Sequence, residues 1–236
     1  MTTNFTPIDM QTWQRRDYFY YFTKMMPTGF NVNVDVDITA SYDAAKAAGY
    51  RFFPVYLHLI TRLISEQPEF MIAQRGEQLG HYDHLTPAYS LFHEDDHTIS
   101  GIWTAYDTDL ATFNAHYMAD KERYSSQHGA VAKPDQPENA YMINMNPWLH
   151  FNNYTPLSFN GLPNYLPVIE AGKYVIENDR RVMPVSFTIH HAVADAWHVS
   201  HFFREVAASA EYARHLVKIE RAVQTVFFFQ NISDPH

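Results

Sequence analysis

Apolar and polar positions divide this chain into short elements, and the sharpest change of period lies between Val182 and His198. Met183, Val185, Phe187 and Ile189 share one parity, which predicts a strand with a single buried face, because successive strand side chains point to opposite sides. His191 continues that apolar parity. His190 belongs with Ser186 and Thr188 on the other, so the two neighbouring imidazoles are expected to meet different surroundings. After Ala194 the period becomes helical: Val199, Phe202, Phe203, Val206 and Ala210 recur on one face, with Asp195 where the helix begins. An aspartate there can cap backbone amides or meet a cation. Partial burial disfavours an imidazolium and keeps a histidine available as a base near neutral pH, so His191 is the candidate general base.

The rest of the chain reads as alternating strands and helices. Trp13 to Phe22 predicts a short helix that packs its rings inward and carries Arg15 and Arg16. Phe30, Val32, Val34, Val36 and Ile38 alternate without a break and predict a half-buried strand after the turn at Pro27-Thr-Gly29. Ser41 is the expected cap of a short alanine-rich helix, and Pro54 to Gln67 has the spacing of a second helix closed by Pro68. Two hairpins follow, one about Arg75-Gly-Glu77 and one through Glu94-Asp-Asp96. A helix starting at Asp107 or Thr108 runs to about Tyr124, and residues 125–139 form a loop long enough to shape a site. Ala140 to Met145 is a short strand, and Pro167 to Ile176 pairs with Arg180 to His191 across Glu177-Asn-Asp179. Leu216, Ile219, Val223 and Val226 have helical spacing. Hairpins interleaved with helices predict an α+β fold, a mixed β-sheet with helices packed on one side.

Composition narrows the function. With 46% hydrophobic and 18% charged residues, a chain of 236 residues can bury a sizeable core as one large domain. Its 17 basic and 26 acidic residues give a formal charge of -9, against the basic surplus of a nucleic-acid binder. The absence of cysteine excludes disulfides, a thiol nucleophile and thiolate metal sites. The N-terminal residues lack a secretion pattern and no apolar stretch is long enough to span a bilayer, so a soluble cytoplasmic protein with no membrane partner is expected.

His190-His-Ala-Val-Ala-Asp-Ala-Trp-His198 resembles the HHxxxDG-type motif of the chloramphenicol acetyltransferase family. Further matches occur in order: Trp13-x-Arg-Arg16, Met26-Pro-Thr-Gly-Phe30, Asp37-Ile-Thr39, Arg51-Phe-Phe-Pro54, Phe92-His-Glu94, Pro137-Glu-Asn139, Pro147-Trp148, Pro167-Val-Ile169, Gly172-Lys-Tyr174 and Met183-Pro184. The resemblance implies a two-layer sandwich of the CoA-dependent acyltransferase type over residues 1–212, with residues 213–236 an extension. It implies acetyl transfer from acetyl-CoA to a hydroxyl of chloramphenicol, in a ternary complex and without a metal. His191 aligns with the family's base. Asp195 aligns with an aspartate that pairs with an arginine, here Arg15. Arg51, Lys173 and Tyr174 match positions about the CoA, and the family is a homotrimer with its sites at subunit interfaces.

The chain departs from that pattern at four places. Ala196 replaces the glycine after the aspartate. Asn144 stands where the family has the serine that stabilises the oxyanion, and an amide can also donate there. Glu170 replaces a threonine near the same intermediate, and Phe22 replaces a tyrosine of the acceptor pocket. These changes keep two alternatives open: an acetyltransferase for another hydroxylated acceptor, and a non-catalytic trimeric binding protein. A metal site on His191, Asp195, His198 and His201 is the remaining reading, since His198 and His201 lie one helical turn apart.

Overall fold

The computed structural model describes residues 4–157 and 164–208. In chain order its strands are β1 (Phe5–Pro7), β2 (Gly29–Asp37), β3 (Ile72–Arg75), β4 (Gln78–Tyr82), β5 (Thr86–Phe92), β6 (Ile99–Trp103), β7 (Ala140–Met145), β8 (Val168–Ala171), β9 (Val175–Glu177) and β10 (Arg180–His190). The α-helices are α1 (Arg16–Tyr20), α2 (Thr39–Ala47), α3 (Phe52–Ser65), α4 (Leu110–Tyr124) and α5 (Ala196–Ala208). β10 is antiparallel to β2 on one side and to β8 and β9 on the other. The sheet continues through β7 to β5 with parallel pairings and ends on the antiparallel β6. β1, β4 and β3 make a small second sheet.

One parity of the large sheet is apolar, and this decides where the helices lie. Ile143, Ile169, Val185, Phe187 and Ile189 are buried against Leu57, Ile60 and Ile64 of α3 and Val199 and Phe202 of α5 within one cluster. Phe187 is central: its ring centroid is 4.9 Å from those of both Phe70 and Phe202. Burying such a ring stabilises by about 2–3 kcal/mol relative to exposure. The expected mixed sheet with helices on one face is therefore what the chain builds. Its other face carries a row of polar residues across the middle strands. The strand registers put Asn33, Ser186, Glu170 and Asn144 level with one another across β2, β10, β8 and β7.

Several local expectations need correction. Ser41 lies buried inside α2, and the first turn is held by Asp37, whose carboxylate accepts from the Thr39 N–H at 2.9 Å. Asp109, rather than Asp107 or Thr108, caps α4 by accepting from the Thr112 N–H at 2.8 Å. The N-terminal helix is short and runs into a π-helical turn, Tyr21–Met25. Of its rings, Phe19 and Phe22, three apart on one face, pack on the core, while Tyr18, Tyr20 and Tyr21 are exposed. The strand expected over Pro167 to Ile176 breaks into β8 and β9 at Gly172. A Cβ there would meet the Leu149 carbonyl oxygen at 2.9 Å and Pro184 Cγ at 2.7 Å, so glycine lets residues 149–151 cross close to the strand end. The periodic segment from Leu216 to Val226 lies outside the described residues, as does nearly all of the expected extension.

Candidate active site

The strand ends where the two histidines begin. His190 is the last residue of β10, and His191 opens the turn into α5 with its N–H donating to the Thr28 carbonyl at 2.9 Å. The His191 ring stacks on Phe22, centroids 3.9 Å apart and planes within 8°, and Phe30 meets its edge at 5.0 Å. Its Nδ1 is 3.2 Å from the Ala194 carbonyl oxygen and 3.3 Å from Asp195 Oδ1. Both neighbours of Nδ1 are acceptors, so the ring proton of the neutral form is assigned to Nδ1 and the lone pair to Nε2. No hydrogen bond reaches Nε2 among the described residues, and the side chain is 29% exposed. A ring fixed by stacking, with one tautomer selected and its basic nitrogen uncommitted, is the arrangement a general base requires.

Asp195 is held by Arg15. The guanidinium donates from Nη1 to Oδ2 at 2.6 Å and from Nη2 to Oδ1 at 3.2 Å, and Nη2 also reaches the His191 carbonyl at 3.4 Å. This fork ties the N-terminal segment to the histidine turn, 180 residues away in sequence. The Arg15 hydrogen bond holds the Asp195 carboxyl below the usual carboxylate range, against a smaller opposing effect of burial. The sign follows from linkage: the pair's stabilisation is present above the unfolded aspartate value of about 3.9 and is lost as pH falls through the lower folded value. Asp195→Asn is therefore expected to cost about 1–2 kcal/mol at pH 7, less than a buried pair because the carboxylate is 37% exposed. Urea unfolding at several pH values would show the deficit shrinking below about pH 4. A deficit that does not change with pH would mean that the charge of Asp195 adds nothing.

His190 plays a different part, as the alternation anticipated. Its Nδ1 accepts from the Ala192 N–H at 3.1 Å and Tyr165 meets its ring at 5.1 Å. Burial first, and then the neighbouring His191, lower its pKa. His190 thus stabilises the turn as a neutral acceptor.

The remaining candidates lie elsewhere. Asn144, on β7, accepts through Oδ1 from the Ser90 N–H at 2.9 Å and donates from Nδ2 to Glu170 Oε1 at 3.1 Å. Asn144 is level with Ser186 two strands away, and His191 lies five residues beyond Ser186. At ordinary strand spacings this puts the two backbones about 19 Å apart, about 17 Å along the sheet and about 10 Å across it. One chain does not bring its imidazole and its Asn144 amide to the same atom. Arg51 and Lys173 are exposed. Lys173 sits near the Asn144 end of the sheet, its N–H on the Leu149 carbonyl at 2.7 Å. Tyr174 packs edge-on against Tyr42 at 5.4 Å, and Tyr42 packs on Phe52, the neighbour of Arg51, at 5.3 Å. Tyr174 and Arg51 thus border one aromatic surface.

The residues of the metal reading have other partners. His198 Nδ1 accepts from the Asp195 N–H at 3.0 Å, its Nε2 lies 3.6 Å from Glu69, and His201 lies 3.6 Å from Glu205. A different group, unforeseen from the sequence, comes together at His93, Asp95 and His128, whose ligand atoms lie within 4.8 Å of one another. Its two imidazoles stack at 4.0 Å and 21°, which sends their in-plane lone pairs along nearly parallel directions rather than to one point.

The chain thus builds a mixed sheet backed by helices, with a locked histidine at the end of its long strand. Similar folds occur in a solved chloramphenicol acetyltransferase, with TM-score 0.77 and 24% identity over 87% of this chain and 99% of that one. The cubic core of the pyruvate dehydrogenase multienzyme complex is similar at TM-score 0.57 and 16% identity, covering 80% of this chain and 84% of that one. The chain belongs to the chloramphenicol acetyltransferase family, an enzyme family whose model matches residues 3–207. A chloramphenicol acetyltransferase of Clostridium perfringens is 34% identical over 86% of this chain and 96% of its own length. Chloramphenicol acetyltransferase 2 of Escherichia coli is 34% identical over 84% and 93%. No described helix is long and apolar enough to cross a membrane.

Proposed function

We propose that the protein transfers an acetyl group from acetyl-CoA to a hydroxyl of a small acceptor, with chloramphenicol the first candidate, as a homotrimer whose sites lie between subunits. The observation that carries this reading is the His191 ring, stacked on Phe22 with Nδ1 committed and Nε2 uncommitted. His191 Nε2 takes the acceptor's hydroxyl proton as its oxygen attacks the thioester carbonyl, in a complex of both substrates without an acetyl-enzyme. The carbonyl oxygen gains the negative charge. Collapse breaks the C–S bond, and the imidazolium returns its proton to the leaving CoA thiolate. Arg15 and Asp195 hold the turn that carries the imidazole, which makes them positioning residues. Arg51, Lys173 and Tyr174 are the residues to bind the CoA, two of them cations suited to its phosphates.

The separation of Asn144 from His191 supports the trimer, because a base and an oxyanion donor about 19 Å apart in one chain can share a reaction only across a subunit boundary. Purified protein given acetyl-CoA and chloramphenicol is expected to release CoA thiol. No release above a His191→Ala control would overturn chloramphenicol as the acceptor. A second reading keeps the chemistry and changes the acceptor. It is favoured by Glu170, a buried carboxyl beside Asn144, and by Phe22, which offers a ring without a hydroxyl. Thiol release with other hydroxylated compounds alone would select it.

A further inference from the structure

We propose that the Glu170 carboxylic acid is a second hydrogen-bond donor to the oxyanion of acyl transfer, standing beside the Asn144 amide. The inference rests on the acetyl-transfer reading above. The orientation of Asn144 is settled by its neighbours: the Ser90 N–H can only donate, so Oδ1 faces β5 and the NH2 group faces Glu170. One of its two N–H bonds points to Glu170 Oε1, and the other has no partner among the described residues. The donor available for an oxyanion is therefore fixed in direction by two strands rather than free to rotate.

Glu170 is 7% exposed on the polar face of the sheet. Its hydrogen-bond partner is Asn144, and no cation pairs with it among the described residues. The groups around it are Asn144 on β7, Ser186 on β10, Tyr154 of the crossing loop and, through the sheet, Tyr56 of α3. Ser186 cannot serve it as a donor, since its hydroxyl proton goes to the Tyr154 carbonyl. A buried carboxylate with a single neutral donor is costly, and burial raises the Glu170 pKa against the smaller opposing effect of Asn144. The neutral acid accepts from Asn144 on one oxygen and presents an O–H on the other. Two donors then stand side by side, as in a two-donor oxyanion hole. The ionised form would set a negative charge against the developing one.

The chemistry follows a defined proton inventory. The acceptor oxygen bonds to the thioester carbon, its proton moves to His191 Nε2, and the carbonyl oxygen becomes the oxyanion that Asn144 N–H and Glu170 O–H meet. Glu170 keeps its proton throughout, and collapse expels the thiolate. Glu170 must be protonated to donate, so kcat is expected to fall as Glu170 ionises.

The experiment compares kcat and KM for acetyl-CoA across pH in wild type, Glu170→Gln and Glu170→Ala, by CoA thiol release, with thermal unfolding of the same proteins. Glu170→Gln keeps an N–H donor and cannot ionise, so the decline that accompanies Glu170 ionisation in wild type is expected to vanish, at a rate below that of wild type with Glu170 protonated. Glu170→Ala is expected to lose roughly 10²-fold in kcat with KM for acetyl-CoA little changed. In unfolding, the advantage of Glu170→Gln over wild type should widen as pH rises, because a raised carboxyl pKa takes stability away as pH climbs through it. Superimposable pH profiles for wild type and Glu170→Gln, wild-type kcat in Glu170→Ala, or Glu170→Gln less stable than wild type at every pH would each overturn the proposal. The last would mark an ionised Glu170 paired across a subunit boundary. Absence of His191-dependent thiol release by the wild-type protein is a separate result, and it would overturn the acetyl-transfer reading itself.

Discussion

His191→Ala is expected to lower kcat by about 10³-fold while the protein stays folded and assembled, because it removes the group that accepts the hydroxyl proton. The ring's contacts set what else changes. Phe22 loses its stacking partner, and a space opens between Phe22 and Phe30 at a position 29% exposed. The structural cost is therefore about 1 kcal/mol, small beside the kinetic one. The Arg15 fork to Asp195 and to the residue 191 backbone carbonyl survives the change, so the turn keeps its shape. Stopped-flow thiol release on the variant, with circular dichroism as the control for folding, checks this. A loss under tenfold would remove His191 from the role of base.

Asn144→Ala is expected to cost roughly 10²-fold or more in kcat with little change in KM for acetyl-CoA, the signature of a contact made in the transition state. The backbone consequence is separable. Removing the side chain frees the Ser90 N–H on β5 and leaves Glu170 without its hydrogen bond, which costs about 1–3 kcal/mol of stability. Asn144→Asp keeps the acceptor for Ser90, replaces the donor by a charge, and should lose at least as much activity. Steady-state kinetics on both variants decide between a donor in the transition state and a structural tie. A loss confined to KM would make Asn144 a binding residue.

The parts of the fold readable from the sequence were those whose signal is local. Strict alternation in Phe30 to Ile38 and Met183 to Ile189 marked β2 and β10, and that pairing carries the site. The Asp195–Arg15 pair was legible only through family resemblance, since nothing in the spacing of residues 180 apart says that they meet. Other features were invisible for definite reasons. Which of Asp107, Thr108 and Asp109 caps α4 is decided by where Leu110 and Phe113 must enter the core. The break at Gly172 depends on a loop 23 residues earlier in sequence passing over it, as the 2.9 Å approach to the Leu149 carbonyl records. The distance between Asn144 and His191 follows from strand order β10-β8-β7, a property of the whole sheet. The meeting of Glu170 with Asn144 has the same origin, since it requires the parallel register of β7 and β8.

The central claim is that the imidazole of one subunit works with the amide of another, and mixing inactive subunits tests it most directly. Coexpression of His191→Ala and Asn144→Ala chains forms some interfaces in which the histidine of one chain faces the asparagine of its neighbour. For equal, random mixing in a trimer the predicted activity is about a quarter of wild type, far above either variant alone. Mixed assemblies no more active than the two variants assayed separately would contradict a site shared between subunits, and with it the mechanism set out above.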